Sequence, residues 1–218
     1  VVSVEADIFA DGHDLISAVI HCRHQSSKET EEVRMLPLVN DRWTAQFSVD
    51  KLGFYYFTVE GWIDHFLTWH RDLKKRVDAG VEGKDLEVQI LIGLEMIRAA
   101  AARAGTRDRR KLESIITALD SGDPVEEKVE DLWSEDLLAL MWRNAERKFT
   151  AIHPCEMPVE VDRKLAAFST WYELFPRSTS GQPGKHGTFA DVEKQLPRIE
   201  RMGFDILYLP PIHPIGEN

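Results

Sequence analysis

The chain has 218 residues, 43% hydrophobic and 29% charged, with a formal net charge of −10. That length and apolar content can bury a sizeable core, and the acidity argues against nucleic acid and anionic membrane surfaces as partners. No run approaches the roughly 18 apolar residues of a membrane span, and no signal peptide is legible. Cys22 and Cys155 are the two cysteines and make no disulfide framework, so a cytoplasmic protein with reduced thiols is expected. No metal-ligand spacing is present and no cofactor is expected.

Residues 1–81 read as β structure. Ser3 to Phe9 alternates loosely and ends at the turn signal Asp11-Gly12. Within Leu15 to His24, the residues Ile16, Ala18, Ile20 and Cys22 share one face, which makes Cys22 a core thiol. Asn40-Asp41 marks a second turn. Trp43, Ala45, Phe47 and Val49 alternate with polar residues, Phe54 to Glu60 follows Gly53, and Gly61 breaks the run before Trp62 to Arg71. Short strands with frequent turns predict a β-sandwich. The basic run Arg71 to Arg76 then reads as a solvated strand edge rather than a phosphate site.

Near residue 80 the hydrophobic period changes from two to 3.6. Asp85 can cap a helix whose apolar stripe is Leu86, Ile90, Leu94, Ile97 and Ala101, and Gly105 ends it. A second helix places Leu112, Ile115, Ile116 and Leu119 on one face, with the basic run Arg107 to Lys111 at its start beside acidic neighbours such as Glu113. Asp123-Pro124 opens a short helix, and Ser134 opens another through Leu137, Leu138 and Met141. Residues 82–150 are therefore predicted as a helical bundle. Pro158 to Val161 reads as a strand again, and the order β, α, β predicts that the bundle is inserted into the sandwich, which residues 151–166 rejoin.

The segment 167–218 is predicted to be strand, helix, strand. Trp171 to Phe175 is an aromatic run closed by Pro176. Thr188 with Asp191 forms an approximate capping box, and Val192, Leu196, Ile199 and Met202 follow at helical spacing with Pro197 among them. Ile206 to Leu209 ends at Pro210-Pro211. Such a unit is a right-handed crossover with parallel strands.

The runs WYELFPRS, GTF and LPRIERMGFDILYLPPIHPIG resemble the opening of the barrel in the α-amylase superfamily, glycoside hydrolase family 13. Tyr172, Phe175 and Pro176 fit its first barrel strand; Gly203, Phe204, Leu207, Leu209 and Pro210 fit its second. The PPIHPIG ending is similar to the α-1,4-glucan:maltose-1-phosphate maltosyltransferase branch, and the likeness extends upstream through VEADIFADGHD. LGFYYFTVEG is similar to the immunoglobulin-like modules that precede barrels in starch-active enzymes. The fold class expected is thus α+β multidomain: an immunoglobulin-like β-sandwich with an inserted helical bundle, followed by the first β-α-β unit of a (β/α)8 barrel.

The resemblance implies transfer of maltosyl units from α-maltose 1-phosphate to the non-reducing end of an α-1,4-glucan, with release of phosphate by a retaining mechanism. It also implies a homodimer. A barrel needs roughly 250 residues, so the aspartate nucleophile and glutamate acid/base of the family are expected past Asn218, and this chain is expected to serve scaffold and dimerisation roles. An α-amylase-type hydrolase and a non-catalytic glucan-binding module stay open as alternatives.

Two sets of candidate residues follow. Trp43, Trp62 and Trp69 can act as sugar-stacking platforms if a ring face is exposed, though their alternation reads first as core. His213 and Asn218 follow the second strand, where barrel active sites are built, and are candidates for the rim of the substrate pocket. Glu173 is the lone carboxylate on the first barrel strand. A glycosidase needs a pair, so Glu173 reads as structural, with Arg177 as its expected partner.

Overall fold

The computed structural model describes residues 1–121 and 124–213. The chain divides into two units, residues 1–50 with 54–159, and residues 51–53 with those from 160 on. It is a mixed α and β structure.

The first unit opens with strands β1 (Val2–Asp7), β2 (Ile16–His24), β3 (Glu31–Arg34), β4 (Leu36–Pro37), β5 (Arg42–Phe47) and β6 (Gly53–Ile63). One antiparallel sheet runs β1-β5-β4, and a second runs β3-β2-β6-β7, where β7 is Ala151–Ile152. β8 (Met157–Val161) also pairs with β6. Asn40 and Asp41 hold φ of 58° and 59° in the β4–β5 turn, the left-handed geometry that favours this dipeptide between antiparallel strands. Phe47 meets Phe57 and Tyr55 at ring-centroid distances of 5.7 and 6.5 Å, so the two sheets touch through an aromatic seam.

The central strands β2 and β6 are covered on both faces. Register places Ala18 opposite Gly61, Ile20 opposite Val59 and Cys22 opposite Phe57 on the inner face. Ser17 opposite Trp62 and Val19 opposite Glu60 occupy the outer face. Burial, with a smaller push from Glu31, raises the Cys22 thiol to about 11, so it packs as a small apolar group.

Helices α1 (His65–Asp78), α2 (Lys84–Arg103), α3 (Thr106–Leu119), α4 (Val125–Leu132) and α5 (Glu135–Arg143) follow β6 and precede β7. Their stripes converge on one core that includes Trp69, Leu73, Leu94, Ile97, Leu112 and Leu137. Each fully buried leucine there contributes about 2 kcal/mol of transfer free energy. Trp69 lies so close to α2 that a Cβ on Gly93 would fall 2.1 Å from its ring. The Asp108 carboxylate ties α3 to the end of α5 by accepting from Arg143 (3.0 Å) and Asn144 (3.1 Å). In the basic run, Arg109 donates to the Ala101 carbonyl, one of the last turn of α2, at 3.1 Å.

The sequence reading of strand through Arg71 is corrected here, because His65–Asp78 is helix. Asp64 caps it by accepting the Leu67 N–H (2.9 Å), and Phe66, Trp69 and Leu73 bury one helical face. The charged residues of the run Arg71 to Arg76 therefore flank the buried Leu73 on a helix rather than lining a strand edge, and the helical segment begins at His65 rather than at 82. β6 ends at Ile63 and α1 begins at His65, so a single residue, the cap Asp64, separates strand from helix.

The second unit continues from β8 through α6 (Lys164–Ala167), β9 (Trp171–Glu173), α7 (Phe189–Arg201) and β10 (Ile206–Tyr208). β9 and β10 are parallel, with Trp171 opposite Ile206 and Glu173 opposite Tyr208. Pro197 sits inside α7.

Candidate functional site

Parallel strands leave their carboxyl ends together, and the loops that follow build a shared rim. In the second unit that rim starts from a fixed base. The Thr170 N–H (2.8 Å) and hydroxyl (2.9 Å) both donate to Asp205 Oδ2, and the Asp205 N–H donates to the Thr170 hydroxyl oxygen (3.2 Å). The Thr170 N–H first, then its hydroxyl, holds the Asp205 carboxyl below its ordinary value. On the helix side, Tyr172 meets Phe204 (ring centroids 5.1 Å) and its hydroxyl accepts from Arg198 at 2.9 Å. These contacts register the two strands.

After β9 the chain makes a 3-10 turn at Pro176–Thr179 and closes a compact loop. The Ser180 hydroxyl lies 2.7 Å from the Lys185 carbonyl, and the Gly187 N–H donates to the Arg177 carbonyl (2.9 Å). A Cβ on Gly187 would lie 2.3 Å from the Pro176 carbonyl oxygen, so only glycine fits this return. α7 then starts at Phe189. The Asp191 carboxylate accepts the Thr188 N–H at 3.0 Å and so occupies the start of the helix with the chain's own anion.

Loop, helix start and the segment after β10 enclose a cleft of about 300 Å³ lined by Phe175, Arg177, Phe189, Pro210, Ile212 and His213 among others. It has aromatic and aliphatic walls with two groups that can donate hydrogen bonds to an oxygen-rich ligand, Arg177 and His213. Glu173 and Arg177 form no ion pair among the described residues, so the partnership expected between them is not made. His213 lines this cleft, and Asn218 lies outside the described residues. Arg177, Phe175 and Phe189 join the cleft without having been singled out as pocket residues. The signal available was their position, just past a strand end and at a helix start.

A larger cleft of about 590 Å³ lies in the first unit, lined by β1, β6, β7 and residues such as His153 and Met157. Its acidic rim residues Glu5 and Asp7 face Arg42 at 3.5 and 3.6 Å. His153 Nδ1 accepts the Cys155 N–H at 3.3 Å. Size favours this cleft, but its polar groups are already engaged, so the smaller one carries the chemistry better.

The three tryptophans are not platforms. Trp43, Trp62 and Trp69 are all buried. Trp43 Nε1 donates to the Ile8 carbonyl (3.1 Å), and Trp69 Nε1 to the Gln89 carbonyl (3.1 Å). The Arg147 guanidinium covers the Trp62 ring, 4.5 Å from its centroid. Stacking on a pyranose needs a bare ring face, and core packing has taken these.

Residues 1–163 match the family model described as Alpha-1,4-glucan:maltose-1-phosphate maltosyltransferase, domain N/S. Proteins named Alpha-1,4-glucan:maltose-1-phosphate maltosyltransferase share 46% identity over 214 residues in Chlorobaculum tepidum and 39% over 213 residues in Pseudomonas aeruginosa. A third, from Methylacidiphilum infernorum, shares 38% over 215 residues. These alignments cover 98–99% of this chain and 31–32% of the relatives, so the chain spans about a third of the length of the curated relatives it matches. Matched along three quarters of its length by the family model and nearly throughout by these relatives, the chain belongs to the α-1,4-glucan:maltose-1-phosphate maltosyltransferase family.

Proposed function

We propose that this chain is part of an enzyme that transfers maltosyl units from α-maltose 1-phosphate to the non-reducing end of α-1,4-glucans and releases phosphate by a retaining, two-carboxylate mechanism. The observation that carries the reading is the parallel β9–β10 pair with a cleft at its carboxyl ends, in a chain of this family. In this reading β9, α7 and β10 are the first β-α-β unit of a (β/α)8 barrel. The two sheets are an immunoglobulin-like sandwich, and α1–α5 are its inserted bundle. The nucleophile and acid/base come from outside these 218 residues, while His213 and the cleft contribute to the substrate rim. Phosphate is a good leaving group, so acid assistance matters less at the donor step than in hydrolysis.

The helical segment serves assembly. Val88, Leu91 and Ile92 share one face of α2 at helical spacing and are exposed, Leu91 by 58%. An apolar stripe of this kind on a helix marks an interaction surface, and a second copy of the protein is its proposed partner.

The test is phosphate release from α-maltose 1-phosphate with a maltooligosaccharide acceptor, by the complete protein and by the 218-residue chain. Release by the complete protein alone is expected. Release by neither removes the maltosyltransferase reading, and release by the short chain overturns the location of the carboxylates.

A further inference from the structure

Among the described residues the buried polar side chains are Ser17, Glu60 and Asp64. All three sit where the helical segment leaves the sheet or rejoins it. At the exit from β6, the Ser17 hydroxyl donates to Asp64 Oδ2 (2.8 Å) while Asp64 Oδ1 caps α1. The Asp64 N–H donates to the Leu15 carbonyl (2.8 Å), and the Leu15 N–H donates to the Thr68 hydroxyl (2.8 Å). The first turn of α1 is thereby tied to β2.

At the return, Glu60 is only 6% exposed. Its Oε2 contacts His21 Nε2 (2.6 Å) and accepts from Arg147 Nη1 (2.8 Å), and its Oε1 accepts the Thr150 hydroxyl (2.8 Å). Arg147 Nη2 also donates to Glu32 Oε2 (2.6 Å), and its guanidinium lies over Trp62. The titratable groups facing this cluster are Glu32 from β3, Glu60 from β6, His21 from β2 and Arg147 from the return segment.

A buried carboxylate is costly unless its partners are all present, and losing one leaves an uncompensated charge. Such a cluster is either made or broken. Ser17 and Asp64 of the first joint are 3% and 9% exposed, whereas the Arg147 and Glu32 side chains of the second are 26% and 41% exposed. We propose that the two joints lock the helical segment in one orientation on the sheet, and that the return joint opens first, ahead of unfolding of either core.

Acid should act in the same direction. Burial alone would raise Glu60, but hydrogen bonds from His21 and Thr150 and the charge of Arg147 outweigh it and leave the carboxyl below 4.5. Glu32 is held down first by its Arg147 hydrogen bond. For carboxyls depressed on folding, the stabilisation is complete above the ordinary value of 4.5 and is lost as pH falls through the depressed values.

Hydrogen exchange on the 218-residue chain tests the lock, comparing the unaltered protein with Glu60→Gln, Arg147→Met and Ser17→Ala at neutral pH. The first two variants should accelerate exchange at residues 150–153, which pair with β6, by about tenfold or more. Core amides of α2 and α3 should stay within about twofold. Ser17→Ala should leave residues 150–153 at their original rate. Uniform acceleration throughout the first unit, or none at residues 150–153, overturns the proposal. If the two return-joint variants fail to fold, the unaltered chain at acid pH, corrected for intrinsic exchange, must show the same selective pattern, and a uniform response there also overturns it.

Discussion

In residues 1–159 the helical core takes Leu73, Ile97, Leu112, Leu132 and Leu137 to essentially no exposure, whereas from residue 160 on only Val192 and Ile199 are buried among the described residues. Both units use the same kinds of side chain. Trp171 and Phe175 of the second unit are each 57% exposed, and Phe189, Leu196, Met202 and Tyr208 are exposed as well. The difference is the number of neighbours available. Five helices and two sheets close on themselves, but a pair of three-residue parallel strands with one helix has a single covered face. Trp171 and Tyr208 lie on the other face, where their rings meet (centroids 6.2 Å) and Trp171 Nε1 donates to the Ser169 hydroxyl (2.8 Å). Short parallel pairs of this size are marginal until further strands join them.

The sharpest way to break that contrast is to add one methyl group in each unit. Gly93→Ala drives a Cβ against the buried Trp69 ring at 2.1 Å, and neither helix can yield without opening the core. Urea unfolding followed by tryptophan fluorescence should show a loss of about 3 kcal/mol. Gly187→Ala collides with the Pro176 carbonyl at 2.3 Å, yet that loop is at the surface. It should raise protease cleavage between residues 176 and 189 and leave the main unfolding midpoint in place. A neutral Gly93→Ala means that the first unit is packed more loosely than its burial suggests.

Truncation gives a smaller version of the same comparison. Leu137 is fully buried and Leu196 is exposed on α7. Leu137→Ala should cost about 2–5 kcal/mol, and Leu196→Ala about 0.5 kcal/mol or less. Equal costs would show that Leu196 is covered in solution and that the open face of α7 already has an occupant.

Much of this contrast was legible in sequence because local patterns report local structure. The stripe Leu86-Ile90-Leu94-Ile97 lies within about three helical turns, and the Ser134 cap, the Asn40-Asp41 turn and the Thr188–Asp191 box each lie within about one. α1 was misread because Trp62-Ile63 ends β6 with only Asp64 between it and the helix, and the helical spacing of Phe66, Trp69 and Leu73 starts only after that cap. The Glu60–Arg147 contact spans 87 positions, and no spacing rule connects an acidic residue in a strand with a basic one after a helix. The tryptophans illustrate a related limit: alternation places a ring on a face but does not say whether that face is covered. His213 was picked out by its position after the second strand, and Arg177 was passed over as a pocket residue because it was assigned to Glu173.

The smallest effect concerns the exposed cap of α7, where the two units should respond independently. Asp191 is held down to about 2, first by its hydrogen bond from Lys194 (2.9 Å) and then by the Thr188 N–H and hydroxyl. Its folded value lies below the ordinary 3.8. The cap therefore supports α7 fully above that value and releases it as pH falls through about 2. The Thr188 amide proton should follow a titration with its midpoint near 2, and Asp191→Asn should abolish that titration while amides of β2 and α2 stay where they were. A midpoint at 3.8 instead would show that the box is not closed in solution, leaving the N–H groups at the start of α7 free beside the cleft. Closed, the box keeps the Thr188 N–H engaged by Asp191, and Arg177 supplies the positive charge in the lining of the cleft.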